Sequence, residues 1–177
     1  MTKALLAIHV LAAIIAVGPV TVAASMFPAA ARRARALPDD AQAVAVLRTL
    51  HRICRIYAAI GVVVPVFGLA TASSLGVMGD AWLVASIVLT ALAAAVLALI
   101  VLPGQTAVLA EFDTTATPTS TATSTGATIT AVSTATAVTG TAQRAAARLA
   151  MYTGVFNLLW ATVTVLMIVR PGSTTGV

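Results

Sequence analysis

Four stretches of this chain contain no Asp, Glu, Lys or Arg and are almost wholly apolar: residues 4–27, 56–75, 81–102 and 149–169. A helix needs about 20 residues to cross about 30 Å of hydrocarbon, and each stretch reaches that length. Lipid offers the backbone no hydrogen-bond partner, so a spanning segment must satisfy its own N–H and C=O groups, as a helix does. The pattern therefore predicts an all-α membrane protein, an antiparallel bundle of four transmembrane helices in a single domain.

Composition supports that reading. The 177 residues are 60% hydrophobic and 8% charged, against about 25% charged in a soluble domain. The surplus apolar surface has to face a lipid bilayer. The net charge of +5 would suggest nucleic acid in a soluble protein, but here the bases flank the apolar runs and report topology, so no nucleic-acid partner is expected. Arg32, Arg33, Arg35, Arg48, Arg52 and Arg55 lie between the first two spans, and Arg144 and Arg148 between the last two. Only Lys3 and Arg170 fall on the other side. The positive-inside rule then places both Arg-bearing loops in the cytoplasm and both termini outside. RRAR at 32–35 after the first apolar run, with Lys3 alone before it, argues against a cleaved signal peptide.

Residues 41–55, AQAVAVLRTLHRICR, have the spacing of an amphipathic helix running into the second span. At 100° per residue Arg48, Arg52 and Arg55 form one stripe, suited to lipid headgroups or a partner, with Val46, Leu50, Ile53 and Tyr57 opposite. Pro-Asp-Asp at 38–40 reads as the helix start. Glu111 and Asp113 fall on the same side and are expected to pair with the arginines. Residues 113–142 are a Thr/Ser/Ala-rich tract of low complexity, expected to be a disordered, dispensable loop.

Inside the spans, polar residues are few. His9 sits in IHVLAAIIAVGP, residues 8–19, where an imidazole needs a hydrogen-bond partner or a ligand. Counting residues from the edges of the apolar runs puts Thr71, Ser86 and Thr164 at its level, so one of these hydroxyls is its expected partner. Asn157 is the most polar residue deep in the fourth span and is expected to bond across helices. His51 and Cys54 share a helix at i and i+3, but two ligands do not make a metal site. Cys54 is the single cysteine, which rules out an intramolecular disulfide. Walker, GxGxxG, GxSxG and HExxH motifs are absent from the sequence, so a non-enzymatic role is expected.

The opening ALLAIHVLAAIIAVGP, residues 4–19, resembles the start of several small bacterial membrane families. One is the copper-resistance D type. Another, more similar along the whole chain, is a group of four-helix predicted integral membrane proteins of unknown function. The resemblance implies a bacterial inner-membrane protein. With no catalytic motif in the chain, the expected role is helix packing or that of an accessory, binding a membrane-protein partner or a second copy. In the copper- and haem-handling relatives an intramembrane histidine is suspected of holding a cofactor, and His9 is the matching position here, with haem or copper as the implied ligand. A small transporter is a weaker alternative. The Arg-rich, Lys-poor, Ala-rich usage suggests a high-GC genome.

Overall fold

A computed structural model describes residues 2–115 and 128–171, and the side chains of Thr2 and Thr115, those over 128–139 and those at 141–142 lie outside that description. All the regular structure described is helical: α1 (Thr2–Ala36), α2 (Ala41–Gly61), α3 (Val63–Leu75), α4 (Ala81–Val96), a π-helical turn (Leu97–Val101), α5 (Leu102–Thr115) and α6 (Thr128–Val169). α2 continues into α3, and α4 runs through the π-turn into α5, so the chain forms four long rods. All four are long and apolar enough to cross a membrane. The fold is the all-α four-helix bundle that the hydropathy predicts.

Contacts between rod ends fix the antiparallel order. Arg35 at the end of α1 and Arg48 near the start of α2 both reach carboxylates at the end of α5. At the opposite end Trp82, opening α4, packs with Ala72 of α3 and Leu166 of α6, and the Arg170 guanidinium lies 5.5 Å from the centre of its ring. Trp82 is thus a packing residue, only 7% exposed, with its indole N–H donating to Asp80 at 2.9 Å.

The core runs along the bundle axis through Val20, Ala24, Phe27, Leu47, Cys54, Ala93, Val101, Val108 and Phe156. Small residues let α1 approach its neighbours closely, and Ala16, Ala23, Ala24, Ala31 and Ala34 are all buried. Lipid tails are as apolar as leucine, so contact between helices comes from such close packing rather than from apolar burial. The outward faces agree, since Leu99, Leu158 and Ile168 are 70–76% exposed.

Three sequence features shape the rods. Asp40 caps α2, its carboxylate accepting from the N–H groups of Gln42 at 2.9 Å and Ala43 at 3.2 Å, as Pro-Asp-Asp predicts. Pro65 removes the donor that would reach Gly61, and the second rod breaks at Val62, where α2 passes into α3. Pro103 likewise lacks a donor, and just before it the third rod widens into the π-turn, with Leu102 N–H donating to Leu97 O.

The rods extend beyond the apolar runs. α1 continues to Ala36 and the second rod starts at Ala41, so the first connection is only residues 37–40. Helix also enters both ends of the Thr/Ser/Ala tract expected to be a loop, with α5 reaching Thr115 and α6 beginning at Thr128. Residues 116–127, the middle of that tract, lie outside the described residues.

Candidate functional site

His9 is partly buried in α1, and its Nδ1 lies 3.0 Å from the backbone carbonyl of Val64 in the second rod. A carbonyl only accepts, so Nδ1 carries a proton, which directs the other ring nitrogen, Nε2, away from this bond. Gly68, one turn further on, makes room for the ring: a Cβ there would lie 2.9 Å from His9 Cε1 and 3.3 Å from Nδ1. The expected hydroxyl partner is not used. Thr71, Ser86 and Thr164 each donate to the carbonyl four residues back on their own helix, at 2.7–3.0 Å. That local bond is always within reach of a helical hydroxyl, so it leaves little incentive to seek an imidazole. The register also differs from the estimate. The hairpin turns at residues 37–40, and His9 and Gly68 are equidistant from that turn, so His9 meets α3 about a turn before Thr71.

Asn157 bonds across helices as expected, its Nδ2 donating to Ser25 Oγ of α1 at 3.2 Å. Its Oδ1 and the hydroxyl of Thr153 one turn earlier are buried without a hydrogen-bond partner among the described residues. Ser25 itself is exposed on the outer side of the α1–α6 seam. Exposed small residues flank it, with Gly18 and Ala29 on α1 and Gly154 and Ala161 on α6.

The richest polar grouping lies at the Arg-rich end, between α2 and α5. His51 Nδ1 is 3.0 Å from Gln105 Oε1, and Gln105 Nε2 donates to Cys54 Sγ at 3.5 Å. Gln105 and Cys54 are both 0% exposed. The amide uses its acceptor on one neighbour and a donor on the other, so this buried chain is internally consistent. Sequence reasoning assigned no role to His51 or Cys54 and passed over Gln105. The available signal was a lone amide in the otherwise apolar LALIVLPGQTAVLA, residues 97–110.

The arginine stripe divides. Arg48 pairs with Asp113 at 2.6 Å, and Glu111 pairs with Arg35 of α1, outside the stripe, at 2.8 Å. Both pairs are partly solvent-exposed, and such pairs contribute about 0–1 kcal/mol each. They orient the helix ends more than they stabilise them. Arg52 and Arg55 make no ion pair or hydrogen bond among the described residues. With His51 they line a shallow groove continuing over Ile56 and Ala59 on α2. An adjoining groove shares His51 and Arg55 and is floored by Ala98, Leu102, Pro103, Thr106, Ala107 and Ala110.

No group of three or more His, Cys, Asp or Glu side chains that could hold a metal ion occurs among the described residues. Comparison with protein-family models, with characterised proteins and with solved structures finds no match to this chain. Fold and site together define a class, a compact bundle of four potential membrane spans with polar groups concentrated at one end and along one helix seam.

Proposed function

We propose that this chain is a non-enzymatic accessory protein of a bacterial inner membrane, acting by docking a transmembrane helix of a partner or of a second copy along the α1–α6 seam. In this reading the Arg-bearing loops face the cytoplasm and both termini face outward, the orientation that the eight-to-two distribution of basic residues favours. The observation that carries the docking role is the Ser25–Asn157 pair, an exposed hydroxyl and a half-buried amide held 3.2 Å apart on a mostly apolar surface. Polar groups facing hydrocarbon favour association, and the small residues beside them let another backbone come close.

A second reading, that His9 holds a haem iron or copper, is compatible with its backbone-bound Nδ1, which leaves Nε2 for a ligand in the arrangement common to ligating histidines. One set of proteins tests both readings: wild type, Asn157→Leu, His9→Gln and His9→Leu, purified in mild detergent and reconstituted with fluorescent donor and acceptor labels. Docking predicts energy transfer between copies, or between the chain and a co-purified membrane partner. Asn157→Leu should reduce that transfer several-fold while the His9 variants leave it intact. Unchanged association in Asn157→Leu would contradict docking at this seam. A Soret band present in wild type and lost in both His9 variants would establish the cofactor reading instead.

A further inference from the structure

We infer that the two adjoining grooves sharing His51 and Arg55, one over α2 and one between α2 and α5, form a binding site for an anionic phospholipid, with Arg52, Arg55 and His51 holding the headgroup phosphate and the apolar floor receiving the start of an acyl chain. The inference is independent of helix docking, which uses the opposite pair of rods.

Charge complementarity carries it. The chain has five acidic residues, and four are engaged with partners other than Arg52 and Arg55. Glu111 and Asp113 neutralise Arg35 and Arg48, Asp40 caps α2, and Asp80 holds Trp82 at the far end. The fifth, Asp39, lies in the turn before α2, thirteen residues from Arg52 and so about 20 Å away along the helix. The carboxylates nearest the stripe are thus paired with Arg35 and Arg48, which leaves the guanidinium groups of Arg52 and Arg55 available to an anion from outside the chain.

The groove also has the right chemistry around those two side chains. Guanidinium groups match phosphate oxygens with paired N–H donors. His51 is anchored through Nδ1 by the buried Gln105 amide, so its ring is positioned and Nε2 has no partner among the described residues. Beside these polar groups, Ala98, Leu102, Pro103 and Ala107 offer a largely apolar floor, in which the Thr106 hydroxyl already donates to the Leu102 carbonyl at 3.0 Å.

Position selects a lipid over a soluble anion. Arg55 immediately precedes the apolar run 56–75, at the level where headgroup phosphates lie, and long arginine side chains reach that level readily. Below it, Ile56 and Ile60 of α2 and Leu99 and Ile100 of the π-turn are exposed. A molecule bridging the groove and this apolar surface needs both an anionic and a hydrocarbon end.

The test is native mass spectrometry of the full chain in neutral detergent, titrated with phosphatidylglycerol, phosphatidylcholine or inorganic phosphate. Wild type should retain phosphatidylglycerol, bind phosphatidylcholine at least tenfold more weakly, and hold its lipid against millimolar inorganic phosphate. Arg52→Gln with Arg55→Gln should weaken phosphatidylglycerol binding at least tenfold. The charge-matched control Arg33→Gln with Arg144→Gln should stay within twofold. Ala107→Leu fills the floor without changing charge and should also weaken binding, which separates a shaped groove from a basic surface. The proposal fails if the groove and control pairs weaken binding equally, if both lipids bind alike, or if free phosphate displaces the lipid. A groove pair that binds within twofold of wild type also overturns it. Circular dichroism confirms that each variant compared retains its helices.

Discussion

Gly68→Leu should destabilise the bundle by about 1–3 kcal/mol, the usual range for forcing extra atoms into a packed contact. A Cβ alone would already stand 2.9 Å from His9 Cε1, and a leucine side chain leaves the imidazole no place beside α3. Gly68→Ala should be far milder, because two effects oppose each other. The ring can swing aside and lose its bond to Val64, worth about 0.6 to 1.7 kcal/mol in membranes. The alanine meanwhile recovers up to about 1 kcal/mol of helix propensity. His9→Ala combined with Gly68→Leu should restore much of the loss, since removing the ring vacates the space. Thermal melts of the four proteins of the cycle in one detergent measure this. Additivity within about 0.5 kcal/mol would mean that the two residues do not meet.

The second large effect is expected at Gln105. Gln105→Leu should cost about 1–3 kcal/mol, because it leaves the His51 Nδ1–H without its acceptor in a largely apolar setting. The asymmetry of buried hydrogen bonds gives the sharper prediction. Replacing both partners, Gln105→Leu with His51→Leu, should come closer to wild type than Gln105→Leu alone, since no orphaned donor remains. Chemical or thermal unfolding followed by circular dichroism reads both. A double variant less stable than either single one would show that the His51–Gln105 contact at 3.0 Å is incidental to stability.

These two sites also mark where sequence reasoning stops. The spans, the α2 start at Asp40 and the Arg48–Asp113 pair follow from hydropathy, capping and charge, which act locally or through the order of the rods. The His9 contact depends on register, and register is set by where the hairpin turns. Apolar edges misplace that turn, because α1 continues past residue 27 through RRAR to Ala36. Counting outward from the turn pairs His9 with Gly68. Glu111 meets Arg35 instead of the stripe for the same reason, since α1 and α5 both project beyond the apolar region.

Gln105 was hidden by a different cause. Inward-facing positions along the third rod include Ser86, Ala93 and Leu97. Continuing at 3.6 residues per turn brings Gly104 to the centre of that face. The π-turn inserts extra backbone and advances the downstream side chains, so Val101, Gln105 and Val108 are the buried ones. Pro103 signals a disturbance in the sequence, but periodicity alone does not give its size. The helical start of α6 at Thr128 was similarly masked by a composition that resembles a linker.

The account rests on four spans with the Arg-rich end in the cytoplasm. The most direct measurement is labelling of single cysteines with a membrane-impermeant thiol reagent in right-side-out and inside-out inner-membrane vesicles. Cys54→Ser provides the background and keeps an acceptor for Gln105. Gln42→Cys marks the exposed start of α2 and Gly79→Cys the exposed turn before α4. Labelling of Gly79→Cys only in right-side-out vesicles and of Gln42→Cys only in inside-out vesicles is the predicted result. The reverse pattern, or labelling of both positions from the same side, would contradict the topology on which the docking seam and the lipid groove are placed.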